Sequence, residues 1–290
     1  MSMPFPPFDP EQPAAGGRRR RAFRGVPLRM LAPNMLTLLA LCAGLTSIRM
    51  SIEARFDLAI AAIVFAALLD GIDGRVARLL KSSSRFGAEL DSLADFVNFG
   101  VAPAILLYVW GLNELGSVGW IGGLVYGMCV ALRLARFNVA LDGPKDPPWK
   151  AAFFVGVPAP AGALVVLLPA YLDLLGIPFI REGAPAVLVY QLVIAFLMVS
   201  RLPSFSGKTV GNRIPREYVL PVFVAVVIAV ALLISFPWLF MALGSLAYLG
   251  ALPYAFKSHA RLKKRYGVPH PQVAGPGHSE SSETQSDAAQ

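Results

Sequence analysis

Between residues 70 and 95 the chain reads DGIDGRVARLLKSSSRFGAELDSLAD, which sets Asp70, Asp73, Asp91 and Asp95 among small and apolar residues. On a helix, Asp70, Asp73, Gly74 and Ala77 fall in one stripe through i, i+3, i+4 and i+7 spacing. A following helix presents Gly87, Asp91, Asp95 and Asn98 along one of its own faces. Facing each other, the two stripes bring four carboxylates together. Anions crowded at low dielectric repel or take up protons, and divalent cations resolve that conflict. An all-oxygen ligand set favours Mg2+, Mn2+ or Ca2+ over zinc. The competing reading makes these acids helix-packing ion pairs with Arg75, Arg78 and Arg85. Packing alone does not call for two acid pairs with small residues between them.

Other reactive side chains are scarce. His259, His270 and His278 all lie near the C-terminus, so a base for acid–base chemistry in the body of the chain is a carboxylate. Cys42 and Cys129 both fall in apolar stretches and give neither a disulfide framework nor a zinc spacing.

The elements that must carry the aspartates are membrane helices. The 290 residues are 56% hydrophobic and 15% charged, with a mean hydropathy of +0.59. A soluble domain carries roughly a quarter charged residues. Runs of about 20 apolar residues span a bilayer. Eight such stretches are expected, near 33–51, 56–79, 87–110, 117–138, 153–175, 184–202, 217–236 and 237–256. Their unbroken apolar character excludes a β-barrel, whose strands would alternate. The expected fold is therefore an all-α polytopic membrane protein, a bundle of about eight transmembrane helices. Charged groups inside such helices are costly and mark function.

The net charge of +8 is a topology signal rather than a nucleic-acid signal. Arg18 to Arg21, Arg24 and Arg29 precede the first span, and Lys257, Arg261, Lys263, Lys264 and Arg265 follow the last. Lys81, Arg85, Lys145, Lys150, Arg201, Lys208, Arg213 and Arg216 occupy alternate connections, while the others hold few basic residues. Positive charge accumulates on the cytoplasmic side. Both termini and the aspartates are thus expected at the cytoplasmic face of the inner membrane. Residues 1–28 are read as a disordered basic tail whose arginines set topology and touch anionic lipid headgroups, and 259–290 as a second disordered tail. The first span shows no small-residue cleavage site and is read as retained.

The pattern Asp70-x2-Asp73-Gly74-x2-Ala77-Arg78-x8-Gly87-x3-Asp91-x3-Asp95 resembles the signature of the CDP-alcohol phosphotransferase family at all eight fixed positions. Within that family the chain is similar to the membrane-bound bacterial members that use serine. The supporting segments are PNMLTLLALCAG at 33–44, LDSLADFVNFGVAPA at 90–104, ALRLARFN at 131–138, VGVPAPAGA at 155–163 and SRLPSFSGK at 200–208. The likeness runs over roughly residues 30–210 and divides the chain into a catalytic transmembrane domain, 29–210, and an additional transmembrane hairpin, 211–258, that lies outside it.

The resemblance implies transfer of a phosphatidyl group from CDP-diacylglycerol to L-serine with release of CMP, using Mn2+ or Mg2+, two per site. It implies that Asp70, Asp73, Asp91 and Asp95 ligate metal and that Asp95 also takes the hydroxyl proton. Gly74, Ala77, Arg78 and Gly87 would lie against nucleotide and phosphate, with Asn34 and Thr37 helping to seat the nucleotide. For the acceptor or the lipid phosphate, Asn98, Arg133, Arg136, Asn138, Ser206 and Lys208 are the expected contacts, since guanidinium suits both carboxylate and phosphate. The bland alternative for the arginines is interfacial anchoring. Gly119, Gly123 and Gly127 recur at four-residue spacing, which permits close helix packing and a homodimer. Two rivals remain at this point. One is the same chemistry with glycerol 3-phosphate, inositol phosphate or choline; the other is a divalent-cation transporter, although no internal repeat is seen.

Overall fold

A computed structural model describes residues 28–80, 85–141, 153–177, 183–200, 203–205 and 216–266. The expected tails at 1–27 and 267–290, the surface turn at Lys81–Ser84 and the basic connection with Lys145 and Lys150 lie outside the described residues.

Helices occupy all eight expected stretches. They are α1 (Leu28–Ile52), α2 (Phe56–Leu79), α3 (Arg85–Asp95) continuing through a π-helical segment (Phe96–Val101) into α4 (Ala102–Trp110), and α5 (Ser117–Leu141). After these come α6 (Ala159–Val166), α7 (Leu168–Leu174), α8 (Ala184–Val199), α9 (Arg216–Ser235) and α10 (Pro237–Tyr266). Among the described residues, three stretches are long and apolar enough by themselves to cross a membrane: Ala32–Ile52, Arg85–Trp110 and Ser117–Ala140. The 24-residue α2 has the length but carries Asp57, Asp70, Asp73, Arg75 and Arg78. It buries Ala59, Ile63, Ala66 and Asp73 while exposing Leu58, Phe65, Leu68 and Ile72. Large apolar side chains exposed in such number belong to a surface that meets lipid. The chain is an all-helical, polytopic membrane protein.

Three local departures from expectation have physical causes. The stretch expected as a span from 153 opens with a strand, β1 (Phe153–Val155), and its helix begins only at Ala159. Gly156 takes φ +81°, and the residue before Pro158 is pushed away from helical geometry. β1 pairs antiparallel with β2 (Pro203–Phe205), Phe153 opposite Phe205, so an otherwise helical fold gains a two-stranded ribbon. At the other end, α10 continues through Tyr266, so residues 259–266 are helical where a tail was expected. The run Ala260-Arg-Leu-Lys-Lys-Arg265 consists of good helix formers with no glycine or proline before Gly267.

The third departure is the π-helical turn. Pro103 has no N–H to give the Phe99 carbonyl, and its ring crowds that carbonyl. The Ala102 N–H bonds instead to the Val97 carbonyl, five residues back, which adds a residue to the turn. The Phe99 carbonyl is taken by the Tyr126 hydroxyl of α5 at 3.0 Å. This tie lies directly above the last of the four aspartates.

Candidate active site

The four aspartates enter from two helices packed on α1. Asp70 and Asp73 lie in the second half of α2, and Asp91 and Asp95 lie on α3. One carboxylate oxygen from each of Asp70, Asp91 and Asp95 falls within 4.8 Å of the others. Asp70 and Asp95 are at hydrogen-bonding distance from each other. Asp73 stands outside this closest group but near enough to act electrostatically on Asp70 and Asp91. It is buried, and its Oδ2 accepts a hydrogen bond of 2.9 Å from Thr37 Oγ1 on α1.

Compensating charge is sparse. Among the described residues the ion pair within salt-bridge distance joins Arg49 and Glu53, far from this cluster in sequence. Arg75, Arg78 and Arg85 are exposed and make no such pair with the aspartates. Arg133, from α5, is the cation that acts on Asp95 and Asp70, and its Nε has no hydrogen-bond partner. One guanidinium cannot neutralise four carboxylates. The donor set is therefore chemically suited to divalent cations, with oxygen ligands only.

Sequence spacing brought these helices to the right faces, but the remaining expected residues part company. Thr37 joins the cluster through Asp73, whereas Asn34 is half-buried a turn earlier on α1. Gly74 leaves open space: a Cβ built there would meet nothing within 4 Å. Gly87 opens α3 on the stripe of Asp91, and Arg78 sits exposed in the last turn of α2. The side chain of Ala77 lies outside the described residues, as do Ser206 and Lys208.

Among the proposed acceptor residues, Asn138 is engaged with Ser92. Its Nδ2 donates to Ser92 Oγ at 2.9 Å, tying α5 to α3 one turn from Asp95. Arg136 reaches the other way, donating to the carbonyls of Val199 at 2.7 Å and Ser200 at 3.3 Å. Those are the last carbonyls of α8, which lack helical partners. Arg133 thus faces the aspartates while Arg136 caps α8. Asn98 is only 1% exposed, and neither its Nδ2 nor its Oδ1 has a partner.

Three contributors were not singled out in the sequence: Gly44, Ser92 and Tyr126. A Cβ on Gly44 would collide with Asn98 Oδ1, so only glycine leaves Asn98 its place. Gly44 lies seven residues beyond Thr37 on the same face of α1, and that periodicity was the available signal. Tyr126 had none, because its partner is a carbonyl made available by a proline on another helix.

In the glycine stripe of α5, Gly119 and Gly123 pack inside the bundle, against Leu112 and Ala104. Gly127 faces open space in an apolar groove of about 230 Å³ lined also by Phe96, Ile105, Gly123 and Met128.

Sequence comparison places this arrangement in a known setting. A family model described as CDP-alcohol phosphatidyltransferase matches residues 30–200. A second, CDP-alcohol phosphatidyltransferase 2, matches residues 217–253. The final helix pair, expected to lie outside the resemblance, is therefore inside it. The chain is 42% identical over 256 residues to a Mycobacterium leprae protein named CDP-diacylglycerol--serine O-phosphatidyltransferase, covering 88% of this chain and 82% of that one. A Mycobacterium tuberculosis protein of the same name is 40% identical over 254 residues, covering 87% and 85%. A Helicobacter pylori protein, again of that name, is 40% identical over 143 residues, covering 49% and 58%.

Proposed function

The chain belongs to the CDP-alcohol phosphatidyltransferase family, and on that premise we propose that it makes phosphatidylserine from CDP-diacylglycerol and L-serine, releasing CMP. The observation that carries the site assignment is the meeting of Asp70, Asp91 and Asp95 from two helices within 4.8 Å.

In this reading Asp70, Asp73, Asp91 and Asp95 hold two divalent cations, Mn2+ or Mg2+. Those cations, when bound, neutralise the diphosphate and stabilise the departing CMP. Asp95 takes the proton as the serine oxygen bonds to the lipid phosphorus and the bond from that phosphorus to the CMP oxygen breaks. Asp95 lies at hydrogen-bonding distance from Asp70, whose carboxylate would accept a hydrogen bond from Asp95 once it carries the proton. Thr37 fixes the orientation of Asp73 by its hydrogen bond. The open space beside Gly74 lets a nucleotide approach the α2 backbone, with Arg78 at its rim. Arg133 pairs with the serine carboxylate, and Arg136 holds the end of α8 in place.

The reading sets the active site and both termini on the cytoplasmic side of the inner membrane, where serine, CMP and metal are available. It takes residues 29–210 as the catalytic unit with the pair 211–258 beside it. It also includes a homodimer, with Gly127 allowing close approach of a second copy along its groove; cross-linking in lipid nanodiscs tests that part.

An acceptor assay tests the whole. Purified protein is given CDP-diacylglycerol with Mn2+ or Mg2+, and CMP release is followed with L-serine, glycerol 3-phosphate, inositol phosphate or choline. Release that depends on serine and metal is the expected result. Release with a different acceptor keeps the chemistry and overturns the substrate. No release from folded, metal-binding protein returns cation transport to consideration.

A further inference from the structure

We propose that Asn98 reads the α-amino group of the acceptor and so makes the enzyme select an amino-acid alcohol over the hydroxy acid of equal length. The proposal rests on the serine-transfer reading above. Buried amide groups are nearly always hydrogen-bonded, and a buried carboxamide with both ends unpartnered calls for an explanation. Asn98 has 1% exposure and both ends unpartnered. It follows Asp95 by three residues, within the π turn that Pro103 imposes.

Two contacts fix where that carboxamide lies. Its Oδ1 occupies the space a Cβ on Gly44 would need. Gly44 shares a face of α1 with Thr37, which bonds Asp73. Asn98 therefore lies between α1 and the aspartate-bearing helix, one turn beyond Asp95 in the chain. Arg133, on α5, acts on Asp95.

The acceptor chemistry then divides among three groups. Serine brings a hydroxyl, a carboxylate and an ammonium. Asp95 takes the hydroxyl proton, and Arg133 is the half-buried cation for the carboxylate. The ammonium needs an acceptor that adds no further negative charge to a site with four aspartates. The neutral Oδ1 of Asn98 meets that need, and a charge-assisted hydrogen bond of this kind is roughly twice as strong as a neutral one.

The test compares L-serine with 3-hydroxypropanoate, which keeps the hydroxyl and carboxylate but lacks the amino group. CMP release is measured with the full-length protein, CDP-diacylglycerol and Mn2+. Asn98→Ala is expected to lower kcat/KM for serine by about 10- to 100-fold and to change that for 3-hydroxypropanoate by less than about twofold, so discrimination collapses. Gly44→Ala, which displaces the same carboxamide without altering it, gives the same collapse. Asn98→Asp, which can still accept from an ammonium, recovers part of the serine rate relative to Asn98→Ala. Should Asn98→Ala fail to fold, the comparison of Gly44→Ala with Asn98→Asp decides. An equal fall with both acceptors, or an unchanged serine rate, overturns the proposal and leaves Asn98 a packing residue. Wild-type protein that does not use serine overturns the functional reading and this proposal with it.

Discussion

The Tyr126 hydroxyl on α5 donates to the Phe99 carbonyl at 3.0 Å, in the place of the N–H that Pro103 lacks. The same solution recurs where Pro169 withholds a donor from the Val165 carbonyl, which accepts from the Tyr190 hydroxyl at 2.6 Å. Without water at bilayer depth, an orphaned carbonyl must find a protein donor. Tyr126→Phe and Tyr190→Phe are each expected to cost about 1–3 kcal/mol of stability, the penalty for a buried unsatisfied acceptor. Only Tyr126→Phe loosens the turn that follows Asp95, so only that variant should lose turnover beyond its loss of folded protein. Thermal melting alongside kcat checks this, and equal activity losses would refute the link to the π turn.

Thr37→Val removes the side-chain donor that the structure places on Asp73, leaving the Gly74 backbone N–H, while keeping the side-chain volume. Asp73 is then freer to turn from the site, and the divalent ion concentration for half-maximal activity should rise about 3- to 10-fold, as loss of a hydrogen bond to a charged group implies. Thr37→Ser retains the hydroxyl and should restore the wild-type requirement. Direct titration of metal binding to the purified variants gives the same order if Thr37 acts through Asp73. A shift in the requirement for CDP-diacylglycerol alone would instead assign Thr37 to the nucleotide.

Asp91→Asn and Asp95→Asn separate ligation from proton transfer. The Asp91 carboxylate belongs to the three-way cluster, and its proposed role is that of a ligand only. Its amide should therefore weaken metal binding, and part of the activity should return at high Mn2+. Asp95→Asn should abolish turnover at every Mn2+ concentration while CDP-diacylglycerol still binds. Turnover by Asp95→Asn that recovers with added metal would remove Asp95 as the base.

The aspartate site was legible because its information is local. Spacings of three and four residues on two consecutive helices fix which side chains share a face, and the few residues between the helices keep those faces close in the chain. Thr37 was legible as a polar residue in an apolar span, but its partner lies 36 residues away. The π turn was not legible, since Pro103 in an apolar run is equally compatible with a kink or a helix end. Nor was the β1–β2 ribbon, because the run from Phe153 through Pro169 is apolar throughout and gives no periodicity to mark where the strand stops. The final helix pair looked foreign for the opposite reason. Between Val219 and Ile234, α9 exposes large apolar side chains nearly all round, and such a helix carries no polar signature to tie it to a site.

Arg133 and Arg136 show the same limit most sharply, and they can be told apart by experiment. In sequence they are one motif, three residues apart in ALRLARFN, each suited to an anion. In the fold, Arg136 spends its guanidinium on the Val199 and Ser200 carbonyls, and Arg133 turns to Asp95 and Asp70 with its Nε unpartnered. Arg136→Ala leaves the C-terminal carbonyls of α8 without their donors, so it should lower stability by about 1.5–3 kcal/mol, the range for hydrogen bonds to a charged group. Arg133→Ala removes the cation beside the aspartates and should raise the serine KM by about tenfold or more. Arg133→Lys should recover only part of it, because an ammonium cannot pair side by side with a carboxylate. Serine KM, CDP-diacylglycerol KM and melting temperature measured on all three variants resolve the roles. A serine KM that rises in Arg136→Ala but not in Arg133→Ala would exchange the two assignments, and the cap on α8 would then have to open when serine binds.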